Sequence, residues 1–578
     1  MNEQVETTGP TMRTTPTLRR VQLLGSMALA QMTFAQQLTP ISSLRFGGPL
    51  VDMCTSVVID ADGNFILAGR FQGTVDFDPG PDPFPLTSAG GSDAFVLKLD
   101  PDQGFLWATR AGGSSDDGVN EAVVDGSGNI VAVGFITGTA DMDPGPAELT
   151  ITAGGYDDMF LCKYAPDGTP LWAVASNSTN GNSGYALDVD ASGNVYAGGV
   201  FYGTTDLNGG SGTDTHISAG TGDAFLCKYS ANGSFQWGRT FGGLLREEIT
   251  AVKVDATGSA CIGGNYFGST DLDPSTSNTP YTSAGQSDIF TSKFDASGGL
   301  LWTNSIGGPD YDGVYDMDIN EAGTIVTTGY FTETVDFDPG PSNTPLTDPS
   351  GDMGMCYVRS MSSSGMFQWV KGIGGPDGAS GFAVEFTTDN TIALSGGFFG
   401  TIDADPGSSN VPLTSTGQID TFVALLSPSG DHQHSARFGS LLGDEVTAMA
   451  TAPDGTIHCA GGFKGAMELN GDEPPAAMAS SGDFDGFLVS LRVTEDVSVP
   501  ELEDRMVLNA YPNPSNGILT VELAAQETMP YVVHDALGRT VISGRLRNGA
   551  NRLDLGNASP GKYWLRIGGS SIGLDLVR

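Results

Sequence analysis

A repeat of about 65 residues constrains this fold more than any other feature of the sequence. The acid that opens an Asp-x-Asp-Pro-like segment recurs 65 or 67 residues apart at Asp76, Asp141, Asp206, Asp271, Asp336, Asp403 and Glu468. Tryptophans keep the same period at Trp107, Trp172, Trp237, Trp302 and Trp369. So regular a period predicts an array of equal structural units, each built from the same few elements. The sequence therefore predicts seven units.

Each unit divides into four strands by alternation and by turn signals. In the second unit, GVNEAVVD (118–125) and NIVAVGFI (129–136) flank a Gly-containing turn. After a connection of roughly twenty residues, DMFLCKY (158–164) and PLWAVAS (170–176) flank another. Glycine, with 82 residues, suits many tight turns because it adopts positive φ at little steric cost. Four strands per unit are typical of a β-propeller blade.

The two ends of the array are complementary. It begins with ISSLRFGG (41–48), which aligns with the fourth strand of a unit, and ends with DGFLVSLRV (485–493), which aligns with the third. An N-terminal strand that completes the last unit would close the ring and leave no exposed edge. We therefore predict an all-β chain whose residues 44–493 form a seven-bladed β-propeller of four-stranded blades. A right-handed β-solenoid is the alternative, but it has no need of complementary ends.

The repeat also resembles a known family. Residues 93–134, DAFVLKLDPDQGFLWATRAGGSSDDGVNEAVVDGSGNIVAVG, are similar to the bacterial SBBP-type β-propeller repeat in the order of their Asp, Lys, Trp and Gly positions. The resemblance implies a propeller and no single activity. Later units depart from the pattern: His434 replaces the tryptophan, and GDMGMCYVRS (351–360) replaces the DAFxxKxD segment.

The C-terminal segment differs in composition. An acidic linker (494–505) precedes residues 506–578, which contain YPNPSNG (511–517), HDALGR (534–539) and LDLGNASPGKYWLRI (553–567). This segment resembles the type A C-terminal sorting domain of the bacterial type IX secretion system. The resemblance implies a small β-sandwich whose partners are the secretion machinery and its sortase-like processing enzyme. The motif positions are Tyr511, Pro512, Asn513, Pro514, Gly517, Gly538, Arg539, Gly561 and Tyr563.

From the residues alone, the alternative interpretation of this segment is an ordinary accessory β-sandwich used in adhesion. Its apolar runs are separated by glycines, and its two Pro residues prevent regular ladder pairing, as in a small antiparallel β domain.

The N-terminus predicts export. Arg13, Arg19 and Arg20 precede the apolar run VQLLGSMALAQMTFA, and small residues suit cleavage after residue 35, so residues 1–35 read as a signal peptide. The proportions fit better if translation begins at Met12. Later runs are too short for a membrane-spanning helix. We expect a secreted or outer-membrane-attached protein.

Charge and cysteine content narrow the function. Residues 36–493 hold 15 Lys and Arg against 56 Asp and Glu, which argues against nucleic acid as a partner because that needs a basic face. Cys162, Cys227 and Cys356 occupy one repeat position where Leu, Val or Ala also occur, so we expect buried thiols rather than disulfides.

Acids recur at two further repeat positions, one after Gly-Gly and one at the start of the third strand. Because connections of equal parity share a face of a propeller, these acids predict a markedly acidic face. The first set is Asp52, Asp117, Glu247, Asp312 and Asp444, and the second is Asp93, Asp158, Asp223, Asp288, Asp420 and Asp485.

The Asp-x-Asp-Pro segments have two interpretations. Asp side chains accept hydrogen bonds from backbone N–H groups two residues on, and Pro and Gly complete a turn. Alternatively, two carboxylates and nearby carbonyls supply part of a Ca²⁺ shell of 6–8 oxygens. The candidate ligands are Asp76, Asp78, Asp141, Asp143, Asp271, Asp273, Asp336, Asp338, Asp403 and Asp405.

The sequence favours a non-catalytic binding or structural module, with an extracellular glycan or protein as the ligand. Five His residues without zinc-ligand spacing and acids repeated in every unit suggest architecture rather than one active site. The alternative is a hydrolase or lyase of extracellular polysaccharide, which an asymmetric cluster of acids, His and aromatic residues would favour.

Overall fold

The structure is a computed structural model that divides into two units, 35–495 and a C-terminal unit from 496 onward. It describes residues 36–143, 145, 149–275, 280–351, 353–469, 478–495, 508–523, 528–536, 538–567 and 570–577. The predicted signal peptide and residues 496–505 of the predicted linker lie outside these ranges. Over the described residues the chain forms strands and no helix, so the all-β prediction is confirmed. No described helix is long and apolar enough to cross a membrane.

Seven antiparallel groups of four strands make up residues 36–495. The first strands are Met53–Ile59, Gly118–Val124, Asn182–Val189, Glu247–Val254, Gly313–Ile319, Ala379–Phe386 and Asp444–Thr451. The second strands are Phe65–Asp76, Ile130–Ile136, Val195–Phe201, Ala260–Asp271, Ile325–Phe331, Ile392–Phe398 and Ile457–Phe463. The third strands are Pro85–Leu99, Asp158–Tyr164, Asp223–Tyr229, Pro280–Phe294, Met355–Met361, Asp420–Leu426 and Asp485–Glu495. The fourth strands are Phe105–Gly113, Pro170–Ala175, Phe235–Gly243, Leu300–Ile306, Phe367–Ile373, His432–Gly439 and, for the seventh group, Gln36–Phe46.

Short strands occupy the connection between second and third strands in five units, whereas in the first and fourth units the long strands extend through it. They are Thr139–Asp141, Thr150–Thr152, Thr204–Asp206, Thr215–Ile217, Thr334–Asp336, Pro345–Thr347, Thr401–Asp403, Pro412–Thr414, Ala466–Leu469 and Met478–Ala479, with Asn177–Ser178 beside the third unit.

The N-terminal strand completes the seventh group. Gln36–Phe46 pairs antiparallel with Asp485–Glu495, from Gln36 opposite Glu495 to Phe46 opposite Gly486. The strand is longer than the predicted segment 41–48, and its partner extends two residues beyond the predicted boundary at 493. The first and last strands of residues 36–495 thus lie side by side in one sheet.

The first strands also contact one another in sequence order. Each packs against the first strand of the next unit, and the seventh, Asp444–Thr451, packs against the first, Met53–Ile59. These contacts form a closed circuit of seven strands.

The core lies between neighbouring units. The third strand Asp158–Tyr164 and the second strand Val195–Phe201 are buried at every position, and Asp158 and Lys163 are the only charged residues in them. The fourth strand Pro170–Ala175 has only partly buried or exposed residues, as expected at an outer edge. Apolar clusters combine residues of adjacent units, for example Ile66 with Ala122.

The described residues of the C-terminal unit form seven strands in two sheets. One sheet holds Leu508–Tyr511, Ile518–Leu523 and Gly549–Asp554, and the other holds Met529–Asp535, Thr540–Leu546, Gly561–Ile567 and Ser570–Leu576. A single apolar cluster that includes Val521, Val533 and Leu565 draws on both sheets.

Candidate functional site

The lysine and tryptophan of the repeat join each unit to the next. Lys98 Nζ lies 2.8 Å from Asp60 Oδ2, and the side chains of this ion pair are almost completely buried. Lys98 Nζ also donates to the carbonyl of Pro166 in the following unit, as does Trp107 Nε1 at 3.0 Å. Both side chains therefore serve the architecture. The same pairs recur as Lys163–Asp125, Lys228–Asp190 and Lys293–Asp255.

The predicted acidic face is wrong for the acids after Gly-Gly and at the start of the third strands. Asp52, Asp117, Glu247, Asp312 and Asp444 are fully buried. The acids of the third strands are buried as well, at Asp93, Asp158, Asp223, Asp288, Asp420 and Asp485. They lie at the joints between units, where the neighbouring unit covers them, and a local sequence pattern does not contain that neighbour.

At five joints two of these carboxyl groups come together. Asp117 lies close enough to Asp93 for the charge of Asp93 to raise its pKa, and a Cβ at Gly112 would contact both side chains. Asp117 accepts hydrogen bonds from the N–H groups of Gly113 (2.6 Å) and Thr137 (2.8 Å). The Gly-Gly of the repeat thus lets the backbone approach a buried acid closely, because glycine has no side chain.

In each of these pairs, burial raises the pKa of the acid that follows Gly-Gly. The second carboxylate of the pair raises it further. The pKa rises to about 6 for Asp52 and Asp117, to about 7 for Asp312 and Asp444, and to about 8 for Glu247. Their partners are Asp485, Asp93, Asp288, Asp420 and Asp223, in the same order.

The remaining two joints replace the acid pair. In one, Asn182 stands in place of the acid after Gly-Gly; its Oδ1 accepts from the N–H of Met159, next to Asp158, and its amide donates to Thr205 Oγ1 at 2.6 Å. In the other, Met355 and Ala379 stand at the two equivalent positions, and neither carries a charge. An amide or an apolar pair therefore fills the same place, which agrees with a joint that holds at most one ionised group.

The Asp-x-Asp-Pro carboxylates bond within their own loops. Asp76 Oδ1 accepts from the N–H groups of Asp78 (3.2 Å) and Phe84 (2.8 Å), and Asp78 Oδ1 accepts from that of Gly80 (2.7 Å). The later units repeat this bonding at Asp141, Asp143, Asp271, Asp273, Asp336, Asp338, Asp403 and Asp405. Among the described residues no group of three or more His, Cys, Asp or Glu is placed to hold a metal ion. The turn chemistry is present, and Ca²⁺ binding stays a prediction.

All six cysteines are unpaired and buried, including Cys162, Cys227 and Cys356, whose repeat position predicts this. Burial raises the pKa of Cys54 and Cys162 to about 12, which keeps these thiols protonated and unreactive.

The seven first strands surround a cavity of about 360 Å³, here called the axial cavity. Each first strand carries a β-bulge, and the bulged residue lines the cavity in every unit. These residues are Thr55, Asn120, Tyr185, Thr250, Tyr315, Phe382 and Thr447.

The bulge residues fall into two classes. Thr55, Asn120, Thr250 and Thr447 each donate to a backbone carbonyl of the next unit, as in the 2.7 Å bond from Thr55 Oγ1 to the carbonyl of Val119. Tyr185, Tyr315 and Phe382 are aromatic, and the rings of Tyr315 and Phe382 lie 5.7 Å apart.

Four charged side chains line the axial cavity: Glu121, Lys253, Asp316 and Glu385. Burial raises the pKa of Glu121 and of Glu385 to about 8 and that of Asp316 to about 6. The pKa of Lys253 is raised as well, because Asp318, Asp316, Glu121 and Asp188 outweigh the burial of its ammonium group.

Most of these carboxylates join neighbouring first strands. Glu121 Oε2 accepts from the N–H of Leu187 (2.7 Å), Asp188 Oδ2 from that of Val254 (2.6 Å) and Asp316 Oδ2 from that of Val384 (2.8 Å). Glu385 interacts in the same way with the backbone N–H of Thr451, which lowers its pKa, but its Oε2 is buried without a hydrogen-bond partner in the described structure.

Repeat reasoning missed these charged residues. Lys253 and Glu385 stand where other units carry Val58, Val123 or Ala450. Glu121 and Asp316 stand where other units carry Ala186, Ala251 or Ala448, and a search for constant positions passes over all four. The sequence does contain a signal for these residues. It is a charged residue at a first-strand position where most other units carry an apolar one.

The motif residues of the C-terminal unit build its turns and its first edge. Asn513 Nδ2 donates to the carbonyl of Gly573 (2.8 Å), and Asn513 Oδ1 accepts from the N–H of Asp575 (2.7 Å). Arg539 and Asp535 close the HDALGR turn with an ion pair of 2.7 Å, and Gly538 adopts a positive φ of 75° there. Tyr563 is buried and donates to the carbonyl of Ser559.

Tyr511, Pro512, Pro514 and Gly517 belong to the entry into this unit. The hydroxyl of Tyr511 donates to Glu522 at 3.0 Å, and the N–H of Leu555 donates to the carbonyl of Gly517. Gly561 begins the strand Gly561–Ile567.

Residues 509–573 match the family described as "Secretion system C-terminal sorting domain". The C-terminal unit is a type IX sorting domain. A sorting domain of this kind marks the chain for export to the cell surface or the extracellular space. The predicted export to the cell surface or the extracellular space is confirmed to that extent.

Two curated proteins resemble part of the chain. An uncharacterised WD repeat-containing protein of Acanthamoeba polyphaga mimivirus is 26% identical over 271 residues, 40% of this chain and 19% of that protein. The regulatory protein FlaEY of Caulobacter vibrioides is 27% identical over 246 residues, 42% of this chain and 24% of that protein. The chain spans a quarter or less of the length of both relatives.

Among solved structures, PorZ, described as a surface component of the type IX secretion system of Porphyromonas gingivalis, aligns with 91% of this chain and 81% of its own at 12% identity and a TM-score of 0.28. An arabinoxylan arabinofuranohydrolase of Bacillus subtilis aligns with 78% and 93% at 9% identity and a TM-score of 0.25. At these scores neither likeness carries an argument about function.

Proposed function

We propose that this protein is a type IX–exported, seven-bladed β-propeller of the SBBP type that acts as a non-catalytic binding or structural module outside the cell. The observation that carries the export step is the sorting domain at 509–573. The propeller is supported by seven antiparallel groups of four strands and by the closed circuit of first strands, in which Asp444–Thr451 packs against Met53–Ile59.

Export is tested in a bacterium with a type IX system. The full chain should label at the surface of intact cells or in the medium, and a variant that lacks residues 496–578 should remain inside the outer membrane. Equal surface exposure of both proteins contradicts the proposal. A protease-resistant 35–495 fragment in the cell-retained fraction would show that the deletion did not simply unfold the protein.

The propeller is tested by electron microscopy of the purified protein. Class averages should show a ring of seven lobes around an axial opening. Averages with another number of lobes, or an open solenoid, contradict it.

We favour binding over catalysis because most acids in and beside the axial cavity already accept hydrogen bonds that join neighbouring units. Glu121, Asp188 and Asp316 hold backbone N–H groups of the next unit, and the acid pairs recur at five joints. The hydrolase or lyase alternative is favoured by one observation, the asymmetric set of acids and aromatic residues in the axial cavity. A glycan array scored for both binding and cleavage distinguishes the two functions.

Calcium binding by the Asp-x-Asp-Pro loops is part of the proposal as a secondary property. Equilibrium dialysis against ⁴⁵Ca²⁺ tests it. Uptake of ⁴⁵Ca²⁺ no greater than that of an equally acidic control protein would contradict calcium binding by these loops.

A further inference from the structure

The axial cavity has an excess of carboxyl groups over cations. Glu121, Asp316 and Glu385 line it, and Lys253 is the single basic residue among the described side chains that do so. Asp188 and Asp318 lie near enough to raise the pKa of Lys253 further. One ammonium group therefore faces five carboxyl groups.

Lys253 forms no direct ion pair with Glu385, although its charge lowers the pKa of that carboxyl. The ion pairs of the described lysines involve Lys98, Lys163, Lys228, Lys293, Lys371 and Lys464, and Lys253 is absent from them. The carboxyl of Glu385 interacts with the backbone N–H of Thr451, and its Oε2 is buried without a hydrogen-bond partner among the described residues. Since a buried polar atom without a partner costs free energy, this oxygen is a candidate acceptor for a ligand.

Three bulge residues are aromatic and do not hydrogen-bond a carbonyl of the next unit, although Tyr185 accepts from Arg246 and Tyr315 packs against Tyr330. Four of the seven bulge residues hydrogen-bond the next unit, but Tyr185, Tyr315 and Phe382 present rings to the axial cavity instead. Two of these rings, Tyr315 and Phe382, are neighbours, and Phe382 lies three residues before Glu385 on one strand. Aromatic faces beside a carboxylate are the surroundings that an organic ammonium ion prefers.

We propose that the axial cavity binds an alkylammonium ion, with Glu385 as the carboxylate that accepts its N–H groups and Tyr315 and Phe382 as the rings that contact its carbon chain. The cavity volume of about 360 Å³ accommodates a small ligand. The ligand is either a free aliphatic amine or the side chain of a lysine in a partner protein, because both present the same group. This inference rests on the proposed binding role and names its ligand class.

Binding of a cation should also displace the proton of Glu385. Burial holds the pKa of Glu385 at about 8, with Asp318 and Asp316 raising it and Lys253 lowering it. An ammonium ion beside this carboxyl favours its ionised form, so binding near pH 7 should release a proton to the buffer.

The test is isothermal titration calorimetry of the full chain with n-butylamine, with Nα-acetyl-lysine amide and with the neutral isostere 1-butanol. We expect saturable binding of at least one of the two cations, with a heat that depends on the buffer, and no binding of 1-butanol. Binding of n-butylamine alone identifies a free amine, and binding of the lysine derivative identifies a protein side chain. Equal binding of the alcohol, or no saturation by either cation up to about 10 mM, overturns the inference.

Three variants locate the site. Glu385→Gln keeps the shape and should weaken binding about tenfold, the loss expected for one charge-assisted hydrogen bond. Lys253→Met removes the resident cation and should strengthen binding by repelling the ligand less. Asp62→Asn, which removes an exposed carboxylate from a turn, is the matched control and should leave affinity within about twofold.

Unchanged affinity in both Glu385→Gln and Lys253→Met, with the fold verified by circular dichroism, overturns the placement. Because export is measured on cells and binding on purified protein, failure of this inference is distinguishable from failure of the proposed function.

Discussion

Glu247 shows at the scale of one residue how a buried acid makes this protein sensitive to pH. Its Oε2 accepts from the N–H of Gly243 (2.9 Å), its Oε1 is buried without a partner, and Asp223 faces it. Burial raises its pKa from the ordinary 4.5 to about 8. The folded protein therefore keeps this proton while the unfolded chain loses it, so stability falls as pH rises from about 5 to about 8.

Glu247→Gln should remove this part of the pH dependence, because an amide cannot ionise and Asn182 fills the equivalent place in another unit. Thermal melts from pH 5 to 9 should show a smaller fall in Tm for the variant than for the parent. The exposed Asp62→Asn should keep the slope of the parent. An identical slope in Glu247→Gln would mean that Glu247 is already ionised in the folded state.

At the scale of elements, the buried pair Lys163–Asp125 fixes the third strand of one unit to its own first turn and to the next unit. Nζ and Oδ2 lie 2.7 Å apart, and Nζ also donates to the carbonyl of Ala231. Lys163→Leu leaves Asp125 buried and unpaired and should lower the free energy of unfolding by about 3–5 kcal/mol in a urea titration.

The chain offers the matched control for this pair. The sixth unit carries Leu425 and Thr387 at the two positions, so the double variant Lys163→Leu, Asp125→Thr recreates a combination already present. It should be more stable than Lys163→Leu alone. A double variant less stable than the single one contradicts a role for the unpaired charge.

The elements were largely predictable and the site was not. Strands at 118–125, 129–136, 158–164 and 170–176 follow from alternation and turn glycines, and the structure places strands within one or two residues of each. Burial of the acids depends on the approach of the next unit, as between Asp93 and Asp117, and the pattern of one strand does not contain that unit. The axial cavity depends on a bulge in every first strand, and a single bulged residue leaves no periodic signal.

The whole seven-unit domain depends on its closing strand. Gln36–Phe46 covers the edge of Asp485–Glu495, and Arg45 forms a 2.8 Å ion pair with the buried Asp485. Phe46 also packs against Phe77 and Phe95 of the first unit, with ring centroids 5.7 and 5.4 Å apart. The strand thus contributes to the last unit by pairing and to the first unit by packing.

Deletion of residues 36–46 should therefore lower the Tm of the whole domain and not only loosen one edge, because the exposed strand loses its pairing and Asp485 loses its cation. Differential scanning calorimetry measures this, and the exposed edge should promote self-association that light scattering detects. A synthetic peptide of residues 36–46 added in trans should restore the Tm, whereas a peptide of the same composition in scrambled order should not. A deletion variant that melts like the parent would show that the ring holds without its seventh outer strand, and closure would then rest on the contact between the first strands Asp444–Thr451 and Met53–Ile59 alone.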